Sequence, residues 1–225
     1  MKTALIFGSS GLIGNHLLKL IVKDNYYKKI KLFVRSNISV NDPRVEIIYD
    51  DFKNIDNLTS SIIGDDCFFC IGTTRKDTPN KNEYRRVEYD IPINIARIAK
   101  FNSMNSFLYI SSMGANSKVS NSYLRNKGQV EDELVKLNFK KLAILRPSLL
   151  LGNRKKFRFG ERIAQLIMKK ISLIFFGKMK KFKPIQAVDV AKAIINISVN
   201  DYDTNFYESD KLLELSAQKI KINNL

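Results

Sequence analysis

The chain has 225 residues, of which 44% are hydrophobic, and it carries 38 lysines and arginines against 22 acidic residues, a formal net charge of +16. That hydrophobic content suffices for a continuous core, so we expect a single domain over residues 1–225. The sequence lacks the features of a secretory signal and has no apolar stretch long enough to span a bilayer, which excludes those classes and predicts a cytoplasmic protein.

A glycine-rich loop follows the first predicted strand, residues 4–7, and opens a helix predicted over 12–23. Glycine lets the backbone turn and approach a ligand closely, and the N–H groups at the start of a helix attract an anion. The spacing is G-x-x-G-x-x-G, which suits a dinucleotide pyrophosphate, with a tight structural turn as the alternative. The residues expected to bind the nucleotide here are Gly8, Ser10, Gly11, Leu12, Ile13 and Gly14.

The second and third predicted strands, 30–34 and 45–48, end on residues that bear on cofactor choice. An acidic residue after the second strand would bond the ribose hydroxyls of NAD, whereas a cation accommodates the 2′-phosphate of NADP. This strand runs into Arg35 and Ser36, and the planar guanidinium of Arg35 suits a phosphate. Asp51 and Phe52, after the third strand, are expected to flank the adenine. NADP(H) is therefore preferred, with NAD(H) and a plain surface role for Arg35 as the alternatives.

Two cysteines lie in the fourth predicted strand, residues 67–71. Cys67 and Cys70 have the C-x-x-C spacing of redox pairs and metal sites, but positions three apart on a strand point to opposite faces. We therefore expect two buried structural thiols. The single histidine, His16, has no partner histidine, so we expect no metal site.

The remaining elements continue the alternation. A short helix is predicted over 55–62, a helical stretch ends at Phe101, strands follow over 107–111 and 142–145, and a helix runs between them from about Tyr123 to Leu137. Pro92 predicts that the stretch to Phe101 either starts near Asp90 or kinks. Near-continuous apolar strands separated by helices predict an α/β fold, a doubly wound parallel sheet of the Rossmann type, with ligands at the carboxyl ends of its strands.

Three polar side chains converge on that same edge of the predicted sheet. Ser112 follows the fifth strand, and Tyr123 and Lys127 are four residues apart, so they share one helix face. A carbonyl reduced by hydride needs a proton donor at its oxygen, and an ammonium beside a phenol stabilises the phenolate that remains. Ser112 would hydrogen-bond the carbonyl oxygen. An ordinary amphipathic helix start is the alternative interpretation of the tyrosine and lysine.

After Pro147 the alternation weakens, and residues 153–185 are predicted to form a small C-terminal cap or substrate lobe with a helix over 159–171. A further helix is predicted over 188–199. Within residues 153–183, lysines are interleaved with apolar and aromatic side chains, and we expect a solvated basic face. An anionic membrane surface or a protein partner stays open as an alternative, and nucleic acid is the weakest of these.

Together these motifs resemble the short-chain dehydrogenase/reductase superfamily, and within it the atypical branch that includes the Tat-interacting-protein oxidoreductases. The resemblance spans residues 3–199 and is carried by Gly8–Gly14, Cys70-Ile-Gly-Thr-Thr-Arg75, Ser111-Ser-Met-Gly-Ala115, Tyr123-Leu-Arg-Asn-Lys127-Gly128 and Arg146-Pro-Ser-Leu-Leu150. It implies that Ser112, Tyr123 and Lys127 are a catalytic triad. The residues that it implies beside the cofactor are Gly72, Thr73 and Thr74, with Pro147 and Leu149 near the nicotinamide.

One family feature is missing. Many members of the superfamily carry a catalytic asparagine on the fourth helix, and here Glu88, Tyr89 and Asn94 lie nearby without a clear counterpart. The expected function is an NADP(H)-dependent reductase or dehydrogenase acting on a small carbonyl or alcohol. The alternative is an NADPH-binding regulator with little turnover that acts through a partner. The sequence leaves the substrate open, and both a monomer and a homodimer remain compatible with it.

Overall fold

The apolar strands of the chain assemble into one parallel sheet. The computed structural model of the protein describes residues 2–152, 177–202 and 204–218. Its strands are β1 (Lys2–Phe7), β2 (Tyr27–Val34), β3 (Val45–Tyr49), β4 (Asp66–Phe69), β5 (Ser106–Ile110), β6 (Lys141–Arg146), β7 (Leu150–Leu151), β8 (Ile185–Gln186) and β9 (Phe206–Glu208). Seven of them pair in the order β3-β2-β1-β4-β5-β6-β9, and β7 pairs with β8 separately. The strand order changes direction between β1 and β4, which opens a crevice at their carboxyl ends.

Helices cover both faces of this sheet. They are α1 (Leu12–Lys23), α2 (Lys81–Arg85), α3 (Ile91–Phe101), α4 (Ser122–Lys136), α5 (Ala187–Val199) and α6 (Ser209–Ala217). A π-helical turn, Arg86–Asp90, joins α2 to α3, and 3-10 turns span Ile55–Leu58 and Gly177–Phe182. No helix in the described ranges is long and apolar enough to cross a membrane.

Alternate strand residues enter two separate cores. Ile6 belongs to a buried cluster with Leu17 of α1 and Ile194 of α5, whereas its neighbour Phe7 lies in the opposite cluster with Ile95 of α3. This period-two alternation is what a strand buried on both faces requires. The predicted doubly wound α/β fold is thereby confirmed.

The two cysteines follow the same rule. Cys67 is buried in the cluster beneath α3 and α4, and Cys70, just past the end of β4, packs against the cluster beneath α1 and α5. Both thiols are unpaired. Their predicted placement on opposite faces is confirmed.

Several element boundaries differ from the predictions. The helix predicted over 55–62 is a single 3-10 turn, Ile55–Leu58. For Pro92 the first of the two expectations is confirmed: α3 begins at Ile91 with Asp90 as its N-cap, and Pro92 lies in the first turn, where its missing N–H costs little. The sequence did not reveal β9 or α6, because a strand of three residues has no readable period. The helix predicted over 159–171 and most of the lobe at 153–185 lie outside the described residues.

Candidate active site

The glycine loop between β1 and α1 has no room for side chains at two of its glycines. Gly8 has a φ of +85°, and a Cβ there would lie 2.8 Å from the carbonyl carbon of Cys70. A Cβ on Gly14 would lie 2.2 Å from the carbonyl oxygen of Gly8. Gly11 is the N-cap of α1, and no side chain caps that helix. The first-turn N–H groups of α1 are therefore left for an anion, and the cradle fits a pyrophosphate.

A cleft of about 290 Å³ opens beside this loop at the carboxyl ends of β1, β2 and β4. The predicted cofactor residues that line it are Gly8, Ser10, Gly11, Arg35, Asp51, Phe52, Gly72 and Thr73. Those that do not line it are Leu12, Ile13, Gly14, Ser36, Thr74, Pro147 and Leu149. Leu12, Ile13 and Gly14 form the first turn of α1 instead, while Pro147 and Leu149 follow β6 on the other side of the sheet's midline.

The outer end of the cleft carries charges of both signs. Arg86 is held by Glu83, with a nitrogen–oxygen distance of 2.6 Å, and donates to the carbonyl oxygen of Phe52 at 2.6 Å. Hydrogen bonding by Arg86 lowers the pKa of the Glu83 carboxyl. Asp51 pairs with Lys53 at 3.0 Å. Arg35 lines the cleft, is exposed and has no ion pair within the described part of the chain, so it is available to an anionic ligand.

Phe52 is more constrained than the sequence indicates. It has a φ of +59°, which is unusual for a residue with a Cβ, and only 3% of it is exposed. Its ring packs near Phe7, with centroids 6.2 Å apart, and its N–H donates to the Asp50 side chain. The position expected to flank the adenine is therefore also part of the core.

The two serines after β5 have different surroundings. The Ser111 hydroxyl is buried and donates to Glu131 of α4. Glu131 also accepts from Arg146 at 3.0 Å, and Arg146 lies 3.4 Å from Glu208. This network joins β5, α4, β6 and β9. Ser112 is half-buried, and its hydroxyl has only a long contact of 3.4 Å to the Met113 carbonyl oxygen, which leaves it available to a substrate.

Helix α4 presents the predicted tyrosine and lysine. The Asn121 side chain caps the helix by accepting from the N–H of Tyr123 at 3.0 Å. Gly128 lets the helix pack directly on the preceding loop, because a Cβ there would lie 2.3 Å from the Asn116 carbonyl carbon. Tyr123 is half-buried and lies one helical turn before Lys127 on α4.

Lys127 is buried and tightly held. Its Nζ lies 3.1 Å from Oε2 of Glu88 and donates to the carbonyl oxygen of Ile110 at 3.0 Å. It also lies 4.8 Å from the centre of the Tyr109 ring. Burial is the largest single influence and lowers the pKa of the ammonium, but the combined effects of Glu88, Tyr109 and Tyr123 outweigh it, so the pKa of Lys127 is raised overall.

Glu88 is the site residue that sequence reasoning did not assign. It was one of three candidates near the missing asparagine, and the structure brings it, rather than Tyr89 or Asn94, into contact with Lys127. The sequence signal was weak, because two acidic residues, Glu88 and Asp90, lie between Val87 and Ile91 and nothing in the sequence distinguishes them.

The described residues contain no cluster of three or more histidine, cysteine and acidic side chains that could hold a metal ion. Burial raises the pKa of the Cys70 thiol to about 12, so this cysteine stays protonated near neutral pH.

The sequence profile of a family described as NAD(P)H-binding matches residues 8–174, which include the glycine loop, the cleft and α4. The chain belongs to this NAD(P)H-binding family. It is an atypical member of the short-chain dehydrogenase/reductase superfamily, as the resemblance implied.

Relatives and solved structures agree with this assignment. The chain is 30% identical over 200 residues to "Protein FMP52, mitochondrial" of Debaryomyces hansenii, with 87% of each protein covered. It is 30% identical over 226 residues to "Protein HTATIP2" of Rattus norvegicus, covering 95% of this chain and 89% of the relative. A solved UDP-N-acetylglucosamine 4-epimerase from Methanobrevibacter ruminantium has a TM-score of 0.68 and 18% identity, covering 92% of this chain and 75% of that one, and it shares the fold.

The predicted cytoplasmic location is wrong. It is contradicted by the Debaryomyces relative and similar relatives from other yeasts, which are named mitochondrial. The prediction rested on the lack of a secretory signal and of a membrane-spanning apolar stretch, and neither feature distinguishes the cytoplasm from mitochondria.

Proposed function

We propose that this NAD(P)H-binding protein is an NADP(H)-dependent oxidoreductase that acts on a small carbonyl or alcohol. The observation that carries the proposal is the buried Lys127, one helical turn from Tyr123 and beside Gly72 of the nucleotide cleft. Burying an ammonium is costly, and a nucleotide-binding scaffold has no need of one at this place. A site that transfers a proton to a substrate oxygen does need an ammonium there, because the positive charge stabilises the group that gives up the proton.

Tyr123, Lys127 and Ser112 would each have a separate role in the reaction. When bound, the reduced nicotinamide would supply a hydride to the carbonyl carbon of the substrate. The Tyr123 hydroxyl donates its proton to the carbonyl oxygen, which completes the alcohol, and Lys127 stabilises the phenolate that remains. Ser112 donates a hydrogen bond to the same oxygen and fixes its position. The neighbouring Ser111 supports this assignment, because its own hydroxyl is already committed to Glu131.

The cleft would hold the nucleotide through its loop and its outer wall. The glycine loop and the start of α1 would bind the pyrophosphate. Arg35 would bind the 2′-phosphate of NADP, since Arg86 is already occupied by Glu83. These features support a preference for NADP(H) over NAD(H).

Changing Arg35 to glutamine tests the cofactor preference. A charge-assisted hydrogen bond contributes about 1.5–3 kcal/mol, so we expect the NADPH affinity of Arg35→Gln to fall roughly 10- to 100-fold, with NADH affinity nearly unchanged. Fluorescence titration of each nucleotide gives the two Kd values. Lys53→Gln is a matched control, because Lys53 pairs with Asp51 but does not line the cleft. An unchanged ratio of the two Kd values in Arg35→Gln would show that the 2′-phosphate is bound elsewhere.

A further inference from the structure

The helical connection that carries Glu88 departs from a regular α-helix. Residues Arg86–Asp90 form a π-helical turn between α2 and α3. Such turns are rare and occur frequently at functional sites. The side chain of Glu88 is 0% exposed, although a carboxylate is among the groups least often buried completely. The contacts of Glu88 therefore indicate what this buried charge does.

Both carboxylate oxygens of Glu88 point to the wall of the nucleotide cleft. Oε1 accepts a hydrogen bond from the N–H of Thr73, and Oε2 lies 3.1 Å from Nζ of Lys127. A Cβ added to Gly72 would lie 3.4 Å from Oε1 and 3.9 Å from Nζ. Gly72 and Thr73 both line the cleft. The ion pair thus lies directly behind the backbone that a bound nucleotide would face.

The pair is enclosed by weakly acidic groups from every neighbouring element. The titratable side chains that face it are Cys70 after β4, Tyr84 of α2, Tyr109 of β5 and Tyr123 of α4. Burial raises the pKa of Cys70 and of Tyr84 to about 12 and raises the pKa of Tyr109 as well, so these three groups carry no charge near neutral pH. Glu88 is the anion that balances Lys127 in this surrounding.

We propose that Glu88 is a positioning residue of the reaction. Its carboxylate keeps Lys127 charged and holds the ammonium against the Gly72 wall of the cleft. The same carboxylate partly cancels the positive potential that Lys127 produces at Tyr123. This inference rests on the proposed function and deepens it. Lys127 then acts as a fixed hydrogen-bond donor within a neutral pair rather than as an isolated positive charge.

Removing the charge of Glu88 should cause both Lys127 and Tyr123 to lose their protons at lower pH. In Glu88→Gln the buried ammonium has no counter-ion, so Lys127 releases its proton at lower pH. A phenolate on Tyr123 is no longer repelled by a carboxylate, so it also forms at lower pH while Lys127 remains charged. Both limbs of the pH profile of turnover are expected to shift toward acid. Glu88→Asp keeps the charge and should keep the profile close to that of the wild type.

The protonation of Lys127 can be measured without any cofactor or substrate. We would label the protein with [¹³C]lysine, assign the Lys127 Cε signal as the one absent from Lys127→Met, and follow it with pH. The wild-type signal is expected to stay in the protonated position up to pH 10.5, where exposed lysines titrate near 10.4. In Glu88→Gln its midpoint should fall by at least one pH unit, and Glu88→Asp should resemble the wild type.

Two results would overturn the assignment of Glu88. The first is a titration midpoint of Lys127 that is the same in Glu88→Gln and the wild type. The second is a pH profile of turnover that does not shift in Glu88→Gln. If Glu88→Gln does not fold, the wild-type signal still decides, because a midpoint at or below about 10.4 contradicts the proposal. A wild-type protein that binds neither nucleotide would instead contradict the proposed function, and the Lys127 titration would remain interpretable.

Discussion

Replacing Tyr123 by phenylalanine is expected to lower carbonyl turnover about 10²- to 10⁴-fold, which is the usual contribution of a positioned acid or base. The substitution removes one hydroxyl and keeps the ring, so α4 and its Asn121 cap should stay intact. Tyr123 does not line the nucleotide cleft, and the Kd for NADPH is expected to change by less than about twofold. NADPH oxidation across a panel of aldehydes and ketones, together with fluorescence titration, measures both quantities.

Tyr49→Phe is the matched control for this experiment, because Tyr49 is 56% exposed on β3 and lies outside the cleft and the proposed catalytic group. It should turn over every substrate at the wild-type rate. Full activity of Tyr123→Phe would remove this tyrosine as the proton donor. If the wild type binds NADPH yet turns over no carbonyl in the panel, the regulatory alternative named from the sequence becomes the better account.

Replacing Glu131 by glutamine is expected to destabilise the fold by about 3 kcal/mol, because breaking a buried ion pair leaves its partner without compensation. The Glu131 side chain is 4% exposed, and it joins Arg146 of β6 to Ser111, which follows β5. Arg146 keeps a contact of 3.4 Å to Glu208, which places the cost at the lower end of the range for such changes. For a chain of 225 residues we expect the Tm to fall by roughly 6–12 °C in a calorimetric scan.

Glu133→Gln, two residues further along α4, provides the comparison. Glu133 is 27% exposed in its side chain and pairs with Lys136 at 2.7 Å. Ion pairs open to solvent contribute about 0–1 kcal/mol, so this variant should unfold within about 3 °C of the wild type. Equal losses in the two variants would mean that the network beneath the site contributes no more than a surface pair.

The sheet and its glycine loop could be predicted because local sequence determines them. Apolar runs such as residues 4–7 are buried on both faces, and Gly8 and Gly14 are needed where backbone approaches backbone. The spacing of Tyr123 and Lys127 likewise places them on one helix face. The boundaries were less accurate, because a 3-10 turn such as Ile55–Leu58 and a regular helix begin with the same kinds of residues.

The ion pairs behind the site could not be predicted, because they join residues far apart in the chain. Glu88 meets Lys127, and Glu131 meets Arg146, only after the sheet has formed. For Glu88 there is a second reason. The π-helical turn changes the rotation per residue, so a helical phase counted from α2 does not carry over to α3. The pairing of Arg86 with Glu83 is different, because the two residues are three apart on a helical stretch and local spacing could have predicted it.

The most direct test of the central claim is an equilibrium titration of the wild-type protein with NADPH and with NADH under identical conditions. The site should bind one NADPH per chain with micromolar or tighter affinity, and at least about tenfold more tightly than NADH, because only NADPH carries the 2′-phosphate that Arg35 would bind. Equal affinities, a preference for NADH, or binding of neither nucleotide would contradict the account.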